Sequence, residues 1–185
     1  MEPAASLRSL RDHPFELLLE LERRAKAAAL GAQPGATQQW TGVAFRMGGE
    51  TFLIARDEAR EIMGVPTVVT RVPGARSWIR GLANIRGQLL PIIDLKRYLG
   101  SGETQDGRNT RVIVVNHREV PAGLVVDEVL GFRRFSEQDF HREPPPTLIR
   151  CDSYLTGSFR RGSEGWPVFS LKRLVESPAF LQGSN

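Results

Sequence analysis

The chain has 185 residues, with 25 basic and 21 acidic side chains, three histidines and one cysteine. At 41% hydrophobic and 25% charged residues, its composition is that of a folded globular protein and excludes a disordered, collagenous or coiled-coil chain. A single cysteine, Cys151, excludes an internal disulfide and a cysteine-built zinc cage, while a net charge of +4 leaves nucleic acid to be tested as a partner.

No segment reaches the roughly 18 consecutive apolar residues of a membrane span. The N-terminal stretch is interrupted by acids and carries no small-residue cleavage site, so it does not read as a secretory signal. The expected location is the cytoplasm, without direct membrane insertion. Residues 14–30 are strong helix formers without glycine or β-branched residues. Asp12 fits an N-cap, Pro14 a first turn and Gly31 a C-terminal cap. Leu17, Leu18, Leu21, Ala25 and Ala28 recur at three- and four-residue steps. One amphipathic helix is therefore expected within residues 1–31, its stripe covered by the following domain, a second copy or a partner. Residues 32–39 (AQPGATQQ) read as a linker.

After Trp40 the chain changes to short strands with turn punctuation. Residues 40–47 and 51–55 read as a hairpin around Gly48-Gly49. Residues 57–63 (DEAREIM) read as a short helix stopped by Gly64. Residues 65–72 are β-branched and predict a strand despite Pro66. Residues 87–95 predict another, with Pro91 implying an edge or a bulge. Further strands are expected at 111–115, 122–126 and 131–135. A proline-rich loop follows at 143–147, with two more strands after Leu148. Many short strands and few helices favour small barrels over a parallel α/β sheet.

The chain also repeats itself. Residues 88–99 (QLLPIIDLKRYL) align without a gap on residues 164–175 (EGWPVFSLKRLV), and Glu61 to Val65 echoes Glu128 to Phe132. Both echoes come in the same order, which predicts two similar β subdomains.

Catalytic constellations are missing from the pattern. His13, His117 and His141 lie far apart without metal-ligand spacing, and no glycine-rich phosphate loop occurs. Cys151 lacks an adjacent base, and Asp127-Glu128 are neighbours that point to opposite faces of a strand. No enzyme activity, cofactor or metal is expected. The arginines are scattered among acids, with no basic run longer than Arg-Arg, so a nucleic-acid-binding β-barrel module stands only as the alternative. A binding surface remains. In residues 76–99 Gly81 and Gly87 bracket Asn84 and Arg86, so turns present an amide and an arginine beside a strand. Arg86 then either meets a partner or pairs with a carboxylate such as Asp94 and pins the turn.

Arg80-Gly81, then Asn84-Ile85-Arg86-Gly87 and Leu90-Pro91-Ile92-Ile93-Asp94-Leu95, resemble CheW-like domains, the adaptors coupling chemoreceptors to a histidine kinase. Glu61-Ile62, Thr70-Arg71-Val72, residues 123–129 and residues 154–157 match in the expected order. The resemblance covers about residues 40–176. It implies a mainly β fold of two pseudo-symmetric SH3-like five-stranded barrels, the first at about 40–108 and the second at about 109–176, with 177–185 as a tail. The helix before the barrels, the FRMGG turn (45–49) and residues 166–170 look most like the PilI type, which serves type IV pilus twitching motility. What this implies is a scaffold without catalysis at membrane-associated receptor arrays. Arg86, Asn84, Gly81 and Ala59 match positions that meet the receptor's cytoplasmic tip. Glu61, Val69, Thr70 and Arg71 match the face for the regulatory domain of a CheA-type kinase. Ala59 departs from the larger β-branched residue usual in the family. Neither a receiver domain nor a phosphotransfer or ATPase domain is recognised, so neither a CheV-like fusion nor the kinase itself is implied.

Overall fold

The computed structural model describes residues 39–183. The expected N-terminal helix lies outside them, as does the expected linker apart from Gln39. Strands β1 (Gln39–Met47) and β2 (Glu50–Ala55) form the predicted hairpin around Gly48 and Gly49, both at positive φ. A one-turn 3-10 helix (Arg56–Glu58) leads into β3 (Ala59–Gly64), then β4 (Ile79–Ile85) and β5 (Gln88–Asp94). A short helix α1 (Leu95–Tyr98) follows, then β6 (Arg111–Val115), β7 (Gly123–Val126) and β8 (Glu128–Ser136). The chain ends with β9 (Phe140–His141), β10 (Leu155–Arg161), β11 (Glu164–Phe169), α2 (Leu171–Val175) and α3 (Pro178–Leu181).

Two sheets contain these strands, in the orders β8-β1-β2-β11-β10-β9 and β3-β6-β7-β5-β4. Laid over one another, β8, β1, β2, β11 and β10 correspond to β3, β6, β7, β5 and β4. Each sheet has one parallel pair at the same place, β2 with β11 and β5 with β7. The counterpart of β9 in the second sheet is the isolated bridge between Thr70 and Leu82. The repeat read from residues 88–99 and 164–175 is therefore structural. Both stretches are a strand followed by a short helix, capped by Asp94 accepting from the Arg97 N–H in one case and by Ser170 accepting from the Arg173 N–H in the other.

The sheets do not divide at residue 108. One is built from β1 and β2 together with β8 to β11, the other from β3 to β7. The expected contiguous barrels at 40–108 and 109–176 are replaced by interleaved ones, each taking strands from both repeats. The described part of the expected tail at 177–185 folds onto the domain. Ser177 caps α3, which buries Phe180 against Trp78, with ring centroids 5.7 Å apart.

Three cores explain the strand sequences. Ala44, Leu53, Phe135, Phe159 and Val168 fill one barrel. Ala83, Ile85, Leu90, Ile92, Val112, Val114 and Val125 fill the other, where Val65 and Val69 help close it. Between the sheets lies a shared core that includes Val43, Phe45, Phe52, Ile54, Ile93, Ile113, Leu124 and Phe169. Alternate side chains of a strand point to opposite faces. In β6, Val112 and Val114 thus enter the barrel while Ile113 and Val115 enter the shared core, and the strand reads as an unbroken apolar run.

Three local expectations change. Residues 59–64 form a strand because they pair with β6, from Ala59 opposite Val115 to Gly64 opposite Arg111. Tertiary pairing overrides the helix propensity of DEAREIM, and only Arg56–Glu58 take a helical turn. Residues 65–72 are not a strand: with no N–H at Pro66 or Pro73, only Thr70 bonds to the sheet. Pro91 lies inside its sheet, opposite Leu82. Leu82 turns both its N–H and its C=O outward to Thr70, so no ladder bond is asked of residue 91.

Candidate partner-binding site

The site grows from the β4–β5 hairpin. Its two loop residues, Arg86 and Gly87, have φ of 51° and 82°, as a type I′ turn requires. Arg86 is the one non-glycine residue at positive φ among the described residues, and such positions are costly unless held. Two contacts hold it. The Asn84 Oδ1 accepts the Gly87 N–H at 2.8 Å, tightening the turn. The Arg86 guanidinium pairs with Glu61 on β3, Nη2 at 2.8 Å and Nε at 2.9 Å from the same carboxylate oxygen. The arginine side chain is 80% exposed and the glutamate 22%. An exposed pair of this kind stabilises by at most about 1 kcal/mol, so the guanidinium can exchange Glu61 for an external carboxylate at little cost.

Asp94 does not hold Arg86. It is 1% exposed and accepts from Arg80 Nη2 at 2.8 Å, from the Thr104 N–H and hydroxyl at 3.0 Å each, and from the Arg97 N–H at 3.1 Å. Arg80 also bonds Asp106 and the Thr104 carbonyl. Burial works against the charged guanidinium of Arg80, yet its carboxylate partners hold its pKa above the ordinary value. This network ties the 104–106 loop to β4 and β5 and so braces the hairpin from behind.

Glu61 opens onto a cleft of about 590 Å³ lined by Val43, Arg56, Asp57, Ala59, Arg60, Ile62 and Phe132. Its walls come from β1 and β8 of one sheet and β3 of the other. Phe132 is 61% exposed there and is the cleft residue that sequence reasoning missed. Its alternation along β8 was the available signal, but an aromatic in a β-rich run reads first as core.

The other expected site residues are placed as follows. Ala59 lines the cleft beside Glu61. Gly81 is buried at a bulge in β4 with φ 147°, where a Cβ would fall on the Thr70 carbonyl oxygen, so the close approach of Thr70 already accounts for the glycine. Thr70 and Arg71 are exposed at the outer edge of β4, with Val69 half-buried beside them. Val69 and Arg71 line a second depression of about 850 Å³. Glu61, expected with these three, instead joins Ala59 and Arg86. Cys151 is buried and burial pushes its thiol pKa up, so it stays protonated and packed in the shared core.

A family profile described as CheW-like domain matches residues 41–179. The chain belongs to the CheW-like family. Within the matched span lie the hairpin, the cleft and both short helices after the repeated strands. Protein PilI of Pseudomonas aeruginosa is 40% identical over 170 residues, covering 91% of this chain and 94% of that one. Protein FrzA of Myxococcus xanthus is 35% identical over 118 residues, 64% of this chain and 71% of that protein. The chemotaxis protein CheW of Klebsiella aerogenes is 31% identical over 134 residues, 72% and 80% of the two chains. The crystal structure of the scaffolding protein TtCheW from Thermoanaerobacter tengcongensis superposes with a TM-score of 0.66 at 26% identity, covering 77% of this chain and 96% of that one. The two sheets described above are accordingly the two SH3-like barrels of a CheW-like domain.

Proposed function

We propose that the chain is a non-catalytic adaptor coupling the cytoplasmic tip of a methyl-accepting chemoreceptor to the regulatory domain of a CheA-type histidine kinase. The pathway we infer is the one that controls type IV pilus twitching motility, on the strength of the PilI-type motifs and the 40% identity to PilI. The observation that carries the reading is the cleft between the sheets, with Glu61 on its wall and Arg86 paired to that glutamate. An amphipathic helical hairpin would lay apolar residues against Ala59, Ile62 and Phe132, while Arg86 makes charge-assisted bonds at the rim. Val69, Thr70 and Arg71 on the edge of β4 offer a separate surface for the kinase domain. Contacts of this size are weak singly and gain strength when many are gathered in an array.

The test is capture of both partners by purified variants. Arg86→Glu should lose the receptor tip while keeping the kinase, and Arg71→Glu should do the reverse. Unchanged receptor capture by Arg86→Glu would remove the cleft from the receptor contact. The nucleic-acid alternative predicts salt-sensitive binding of DNA or RNA that both variants weaken alike.

A further inference from the structure

The two barrels are finished differently at corresponding ends. Arg80 in β4 and Thr156 in β10 both sit at the bulge just before the paired glycines Gly81 and Gly157. Asp94 and Ser170 correspond as the N-caps of the two short helices. In the barrel of β4 and β5 the Arg80 guanidinium bonds two carboxylates, Asp94 and Asp106, and its side chain is only 17% exposed. In the other barrel the uncharged Ser170 donates its hydroxyl to Glu58 Oε1 at 2.9 Å, and Glu58 Oε2 accepts the Leu171 N–H at 2.7 Å. A carboxylate is thus restored from the turn after β2, but a guanidinium is not. Thr156, in the place of Arg80, donates its hydroxyl to the Val168 carbonyl at 3.3 Å. What remains is a cavity of about 350 Å³ lined by Glu58, Thr156, the exposed Glu137 and the rings of Trp40, Phe140 and Phe159. Among the described residues its lining holds no basic side chain, and neither glutamate makes an ion pair.

We propose that this cavity receives the guanidinium group of an arginine from a partner protein, completing in trans what Arg80 completes in the other barrel. Glu58 is half-buried and uses one acceptor site on each oxygen, which leaves lone pairs for a cation. Trp40 and Phe140 both pack on Phe159, with centroids 4.6 and 5.2 Å away, so the same cavity offers aromatic rings for cation–π contact. A planar, weakly hydrated guanidinium suits carboxylate and ring together better than an ammonium does. The volume lies at the small end of ligand sites and fits one side chain reaching in from outside. The two acids exclude a phosphate or a carboxylate as the occupant. The inference rests neither on the adaptor reading nor on the Arg86 cleft.

The experiment titrates the 15N-labelled full chain at low salt with the blocked peptide Ala-Ala-Arg-Ala-Ala, its leucine counterpart and agmatine. Shifts of the Trp40 indole N–H and of backbone amides at 55–58, 137–140 and 168–171, caused by the arginine peptide and weakened by salt, support the proposal. Glu137→Gln, at an exposed site, should weaken that binding about threefold. Thr156→Arg supplies the missing guanidinium in cis and should abolish it. Thermal midpoints check that both variants fold, and if Thr156→Arg lowers its midpoint, Glu137→Gln alone decides. No shift with the arginine peptide, equal shifts with the leucine peptide, or unchanged affinity in Glu137→Gln would overturn the site. Tighter binding of agmatine than of the peptide would overturn the assignment to a partner protein in favour of a free guanidine compound.

Discussion

Arg86 and Glu61 stand 25 positions apart in the chain, yet two guanidinium nitrogens of the arginine lie 2.8 and 2.9 Å from one oxygen of the glutamate. The contact joins the tip of the β4–β5 hairpin to an edge strand on the far side of the same sheet, and with the nearby bond from Arg60 to Gln88 it helps close that barrel. It also joins residues expected to serve two different partners. A change at either position is thus felt at the other.

Charge exchange separates the two roles. Arg86→Glu alone sets two carboxylates against each other and should lower stability by less than about 1 kcal/mol, because the site is exposed. Adding Glu61→Arg restores an ion pair with reversed polarity. If Arg86 acts through its own contact with the receptor, the double variant recovers stability in urea titration but not receptor capture. Recovery of both would show that the pair matters only as a brace.

The repeated bulge glycines should be equally intolerant. A Cβ on Gly81 would fall on the Thr70 carbonyl, and one on Gly157 on the His141 carbonyl, with φ of 147° and 155°. Gly81→Ala and Gly157→Ala should each cost roughly 2–3 kcal/mol, combining steric overlap with backbone strain. Gly87→Ala, at φ 82° with open space around it, should cost only about 1 kcal/mol. Midpoints in urea would rank the three.

Interleaving makes the barrels one folding unit. Because β1 and β2 need β8 and β11 as neighbours, a chain ending at residue 108 leaves both edges of the first hairpin unpaired. Such a fragment should lack cooperative unfolding by circular dichroism, and the intact domain should unfold in one transition seen alike by far-UV and tryptophan signals. A folded fragment 39–108 would contradict the shared core.

Tyr98 supplies a pH signature. Burial pushes its phenol up to about 12, opposed by the Ser177 hydroxyl and reinforced by the Tyr154 hydroxyl at 2.8 Å. The unfolded phenol titrates near 10. Between those values the unfolded state binds fewer protons than the folded one, so stability declines as pH rises from about 10 to about 12 and is fully present below. Tyr98→Phe should flatten that decline in denaturant titrations across the range.

Local signals carried well where they were local. The hairpin around the Gly48-Gly49 turn depends on residues within a few positions. The reading failed for residues 57–63, whose helix formers yield to the Val-Ile run of β6, and for residues 65–72, whose β-branched side chains pack on the barrel core without a backbone ladder. Asp94 looked like a partner for Arg86 because both sit on one hairpin. The buried Asp94 instead gathers Arg80 and Thr104, and the partner of Arg86 comes from a strand that sequence had taken for a helix.

From the order of residues alone came a mainly β chain without a catalytic constellation, an internal repeat and the Asn84-Arg86-Gly87 turn motif, because each rests on composition or on periodicity over a few residues. The mild positive charge then looked diffuse, its arginines scattered among acids. Only the tertiary structure exchanges strands between the two repeats, buries Asp94 against Arg80 and sets Glu61 against Arg86. Which strand edge meets which is decided by long-range burial of both faces of each strand, and no short window of sequence contains that information.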